Sequence, residues 1–115
     1  MKALPYASMP FPLGLVTATA GNPVAITANY TDLGAELAHL ISIQAAPSNT
    51  GSVWVLNNNL AADKVAYLNV LAVLAPGVTY FPSLSSQSRN MWQPSRFFID
   101  VDLTAEGAFS TIVVE

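Results

Sequence analysis

The chain has 115 residues, four of them basic and seven acidic, with one histidine and no cysteine. A chain of this length folds as one domain and buries roughly two-thirds of the surface its unfolded form exposes, so it needs no staples. It can hold no disulfide, thiolate metal site or thiol redox centre. With four basic residues and a net charge of −3 it makes a poor phosphate footprint, which argues against nucleic acid as a partner.

Charged residues are 10% of the chain against about 25% in an average domain, and 52% are hydrophobic. The longest apolar stretch, Val65 to Ala75, is interrupted by Asn69 and reaches about half the 20 residues needed to cross a bilayer. Pro5, Pro10 and Pro12 break up any signal-peptide core behind Lys2. The apolar surplus is therefore expected to be surface that another protein covers, with no membrane involved.

Residues Met1 to Gly14 (MKALPYASMPFPLG) read as an extended, Pro-rich N-terminal arm, because proline fixes φ and removes an N–H donor. Its apolar members Leu4, Tyr6, Met9, Phe11 and Leu13 are unusual for a free tail. Two readings fit it: a strand leader tucked along its own domain, or an arm docked on a neighbouring subunit.

From Leu15 to Glu115 the chain reads as a single β domain. Val16–Ala20 and Val24–Ala28 are β-prone runs around the turn Gly21-Asn22-Pro23. Leu37 to Ala45 alternates, with Leu37, His39, Ile41, Ile43 and Ala45 on one face and Leu40, Ser42 and Gln44 on the other. The polar loop Pro47 to Gly51 returns the chain into Ser52–Asn57, where Val53 and Val55 oppose Trp54 and Leu56. Leu60 to Asn69 carries helix formers and an i, i+4, i+8 spacing of Leu60, Lys64 and Leu68, which allows one short helix. Val70–Leu74 and Val78–Phe81 are strands around Ala75-Pro76-Gly77, and Ser83 to Ser95 is a long polar loop. Arg96 to Leu103 alternates again, with Phe97, Ile99, Val101 and Leu103 opposite Phe98, Asp100 and Asp102, and Ala108–Val114 is the last strand. Seven or eight short strands with frequent turns and at most one short helix give an all-β chain, an antiparallel β-sandwich of jelly-roll type.

Little chemistry is written into these residues. His39 is the one histidine and sits among Ile41 and Ile43, where a structural role outweighs a catalytic one. The serines of Ser83–Ser88 have no nucleophile-elbow context. Asp100 and Asp102 project from one strand face and, with Asp63 or Glu106, could hold a cation through oxygen ligands. Without the ligand rhythm of a calcium loop they read instead as a solvated outer face. No catalytic residue, metal site or cofactor is expected.

The aromatic residues Trp54, Tyr80, Trp92 and Phe98 sit on loops or turn away from the apolar face of their strands. A sugar site would use them as stacking platforms, but Leu56, Met91 and Pro94 beside them offer few groups to orient hydroxyls. Met91-Trp92 beside Arg89 and Arg96 has the composition of a protein interface. The expected interface residues are Tyr6, Met9, Phe11, Leu13, Trp54, Met91 and Trp92.

The segment from Ile41 to Glu115, roughly two-thirds of the chain, resembles a group of small bacteriophage virion proteins in the order of its pieces. These are the hairpin Ile41–Ala45 through Pro47–Gly51 to Val53-Trp54-Val55, the turn Leu74-Ala75-Pro76-Gly77-Val78-Thr79, and Phe98-Ile99-Asp100-Val101-Asp102 followed by Glu106-Gly107 and a β-rich end. The Pro-rich arm, Leu60–Asn69 and Ser83–Ser95 depart from that pattern. Members of the group are β-sandwich components of phage particles, capsid decoration proteins or head-fibre bases, and are not enzymes. The resemblance implies a capsid decoration or cement protein on the virion surface. Its partners would be the major capsid protein or other virion proteins, and it would act as a dimer or trimer. A carbohydrate-binding or host-attachment module on the particle is the alternative.

Overall fold

The computed structural model describes residues 10–30, 37–57, 70–82 and 93–114. These residues form eight strands: β1 (Pro10–Thr17), β2 (Val24–Ala25), β3 (Ala38–Ala45), β4 (Val53–Leu56), β5 (Val70–Leu74), β6 (Thr79–Tyr80), β7 (Phe98–Val101) and β8 (Gly107–Val114). A single 3₁₀ turn, Pro94–Arg96, precedes β7. The strands make two four-stranded antiparallel sheets, ordered β1-β8-β3-β6 and β2-β7-β4-β5. Pairing is nested: β1 with β8, β2 with β7, β3 with β6, and β4 with β5. The fold is thus one long hairpin with its bend between β4 and β5, wound so that β8 also pairs with β3 and β7 with β4. That is a jelly roll, the sandwich type the alternation predicts.

Alternation builds the core. Ile41, Ile43 and Ala45 of β3 and Ala108, Ser110 and Ile112 of β8 point inward from the first sheet. Val53 and Val55 of β4 and Ile99 and Val101 of β7 meet them from the second. Most are β-branched, the residues that suit a pleated, half-buried surface. Leu13, Val16, Leu74 and Phe97 complete the cluster.

Three boundaries depart from the sequence reading. The sandwich begins at Pro10 rather than Leu15, so the last part of the expected arm is strand. Proline is tolerated there because β1 is an edge strand whose one partner is β8. Between Pro12 and Gly14 the register shifts, with Leu13 as the extra residue and Gly14 at φ +80°. In β3 a second shift between Ala38 and Leu40 reverses the phase, so Ala38 is buried and Leu37 exposed, the opposite of the expected pattern. Finally, the chain leaves the second sheet after Val101 and turns through Ala105 at φ +78°, leaving Leu103 exposed. The expected helix Leu60–Asn69 and most of the loop Ser83–Ser95 lie outside the described residues.

Candidate interaction surface

The outer face of the first sheet mixes apolar with small polar side chains and carries no charge among the described residues. Cross-strand register sets three rows on it: Leu15, Phe109 and Gln44; Pro12, Thr111 and Ser42; Pro10, Val113 and Leu40. Leu15 and Phe109 are each 43% exposed and Leu40 is 49% exposed, far more than a side chain packed inside its own domain. Thr79 extends the first row from β6, and Phe81, just beyond that strand, is 58% exposed. Among the described residues the charged side chains are Arg96, Asp100, Asp102 and Glu106, and none belongs to a strand of this sheet.

The β1 border of this face is closed to further strand pairing. Pro10 and Pro12 bring no N–H, and the side-chain amide of Asn29 donates to the carbonyls of Leu13 (3.1 Å) and Leu15 (3.0 Å). A neighbour therefore meets the flat of this sheet rather than its β1 edge.

The outer face of the second sheet is built differently. Asp100, expected to be solvated, is wholly buried. The turn at Gly21 folds over it: Oδ1 accepts the Gly21 N–H at 2.9 Å and the Val101 N–H at 2.7 Å. Gly21 supplies the positive φ, +88°, that this turn requires. A buried carboxylate is stable only when such donors replace water, and alternation alone cannot reveal a turn arriving from 79 residues away. Asp102 is exposed and accepts from Trp54 Nε1 at 3.0 Å and from the Ser52 N–H at 3.3 Å. Leu56 follows Trp54 in the outward series yet is wholly buried, so this face is covered there.

Glu106 locks two loops at one end of the sandwich. Its carboxylate accepts from the N–H of Thr50 (2.7 Å) and of Gly51 (2.9 Å) and from the Thr50 hydroxyl (3.0 Å). The Thr50 and Gly51 backbone donors hold its pKa below the ordinary carboxylate value, because they favour the charged form. Asn49 adds a buried bond from Nδ2 to the Gly107 carbonyl at 2.8 Å. Asp100, Asp102 and Glu106 are thus engaged by separate donors, and no cluster of metal-ligating side chains forms among the described residues.

A cleft of about 480 Å³ opens between the sheets near β5 and β6, lined by Leu71, Tyr80, Pro82 and Phe97 with Asn57, Gln93 and Arg96. Burial raises the Tyr80 pKa above its ordinary value.

Of the expected interface residues, Phe11, Leu13 and Trp54 lie among the described residues, and none of the three is on the open face of the first sheet. Leu13 is 0% exposed in the chain's own core and cannot dock on a neighbour. Phe11 packs on that core and against the Tyr30 ring, with centroids 5.4 Å apart. Those two follow the tucked-strand reading of the segment. Trp54 is half-buried and tied to Asp102. Tyr6, Met9, Met91 and Trp92 lie outside the described residues. The sequence reading set Leu40 on the face of Ser42 and Gln44, as the structure does, but assigned no facing to Leu15 or Phe109 and counted none of the three as interface. Parity in β8 was the available signal: Phe109 and Ile112 are three apart and cannot share a face, and Ile112 takes the inside with the small Ala108 and Ser110. Comparison with known protein families, with curated proteins and with solved structures finds no match for this chain.

Proposed function

We propose that the chain is a bacteriophage virion structural protein, a capsid decoration or cement protein that binds the major capsid lattice on the particle surface and works by contact rather than by catalysis. One observation carries this reading: a small jelly roll with few charges keeps large apolar side chains open on both sheets, Leu15, Leu40 and Phe109 on the first and Leu71 and Val73 on the second. The fold is compatible with it, since jelly rolls recur in viral capsid and lectin domains, although fold alone assigns no role. Hydrophobic burial at such a face is offset in part by ordering costs, and repetition on a lattice adds avidity. Mass spectrometry of purified particles from the phage that encodes the chain tests the proposal. Hundreds of copies per particle support a shell protein, and its absence from particles overturns the reading.

The cleft favours a second reading, a glycan-binding or host-attachment module. Tyr80 offers a ring, and Asn57, Gln93 and Arg96 offer hydrogen-bond groups around it. A glycan-array signal lost in Tyr80→Ala supports this alternative, and a silent array removes it.

A further inference from the structure

We infer that the outer face of the β1-β8-β3-β6 sheet is the interface between two copies of this chain, packed face to face about a two-fold axis. The inference deepens the decoration reading, because it assigns one adhesive surface to self-association and leaves the remainder of the molecule to the lattice.

Three features select a second copy as the occupant. The first is size. Three long strands and a short fourth, spaced about 4.8 Å apart and about 27 Å long, present about 400–500 Å² in projection. Two such faces together withdraw about 800–1,000 Å² before side-chain relief is added, the lower edge of the range for a specific interface.

The second is charge. The chain carries −3, so copies repel wherever their carboxylates approach. Of the described carboxylates, Asp100 and Asp102 belong to the second sheet's side, about 10 Å behind the first sheet, and Glu106 is held by the Thr50 and Gly51 N–H groups at one end of the sandwich. A four-layer stack places the two copies' second sheets about 30 Å apart, well beyond a screening length of about 8–10 Å. Meeting through this face therefore keeps the Asp100 and Asp102 carboxylates of the two copies apart. Among the described residues it offers a cationic partner no carboxylate.

The third is symmetry. Thr111 lies in the middle row, with Phe109 and Leu15 on one side of it and Val113, Pro10 and Leu40 on the other. A two-fold axis in the interface at Thr111 sets Phe109 on Phe109 when it runs along the strands and Phe109 on Val113 when it runs across them, with Gln44 meeting Leu15 or Leu40. Such self-complementarity is what an isologous contact needs. The proline-bearing, Asn29-capped β1 edge disfavours the competing arrangement in which copies extend one another's sheets at that edge.

Sedimentation velocity on the full chain, from about 1 µM to about 100 µM, tests the inference. The expected result is a species of twice the 12.2 kDa chain mass. Phe109→Lys and, separately, Leu40→Lys should be monomeric with unchanged far-ultraviolet circular dichroism, because each leaves a charge buried without a partner. Each substitution should raise the dissociation constant of the pair at least about 100-fold. Val73→Lys, on the second sheet, should leave the dimer intact. A wild-type chain that stays monomeric throughout, or a folded Leu40→Lys variant that keeps the dimer, overturns the inference. The decoration reading fails separately: a monomer found in particles sinks the dimer alone, and a dimer absent from particles sinks the decoration role alone.

Discussion

The two sheets share one core but meet their surroundings in different ways. Outside the second sheet, Asp100 and Leu56 are fully buried, Trp54 is half-covered, and Asp102 accepts its indole N–H. Outside the first, Leu15, Leu40 and Phe109 stand open with no charged neighbour on their strands. Among the described residues the charges, Arg96, Asp100, Asp102 and Glu106, lie outside the strands of the first sheet. The second sheet is covered over Asp100 and Leu56 and open along β5 at Leu71 and Val73, whereas the first is open across Leu15, Leu40 and Phe109.

Replacing an inner and an outer residue of the same strand is the severest test of this contrast. Ile112→Ala removes a fully buried side chain between the sheets and should cost about 2–5 kcal/mol in urea unfolding. Phe109→Thr, three residues away, keeps a strand-forming residue and should change the stability of the monomer by about 0.5 kcal/mol or less. If the two variants lose similar amounts under monomeric conditions, the outer face is part of the fold's own packing and the contrast fails.

Asp100 probes the covered part of the second sheet. Asp100→Leu removes the acceptor for the Gly21 and Val101 N–H groups and should cost about 2–3 kcal/mol, with the 18–22 turn losing amide protection first. Gly107→Ala probes the joint between the loops. A Cβ there would run into the Val16 carbonyl across the β1–β8 pair, so the strand must shift, at a cost of about 1–3 kcal/mol in the same unfolding experiment. A neutral Gly107→Ala would mean that β1 yields easily, which the buried Leu13 and Val16 argue against.

Periodicity made much of this architecture legible. Inward positions such as Ile41, Ile43, Val53, Val55, Ile99 and Val101 follow from alternation, and the eight strands follow from turn spacing. What period-two reasoning could not supply were events that break the period. The bulge at Leu13 and the phase reversal between Ala38 and Leu40 each exchange inside for outside by one residue. The burial of Asp100 was hidden for another reason: its donor, Gly21, arrives from a remote part of the chain. The open face went unread because no facing was assigned in the first and last strands, where Ile112 with the small Ala108 and Ser110 takes the inside and leaves Phe109 out.

The gentlest test concerns the one carboxylate that joins loops rather than covering a sheet. Glu106 is solvent-exposed at its carboxylate, yet its pKa is lowered by the Thr50 and Gly51 N–H groups. A group whose folded pKa lies below its unfolded value of 4.5 adds stability that is present above that value. That contribution is lost as pH falls through the lower, folded value. Thermal unfolding of the native chain should therefore lose a small increment of Tm as pH drops below about 4.5, and Glu106→Gln should lack that increment. Solvent screening keeps the effect modest, so the difference between the two pH profiles matters more than either alone. Profiles that run parallel through the acid range would mean that the Glu106 bonds to the Thr50 loop do not hold in solution. The two loops would then be joined by Asn49 and Gly107 alone.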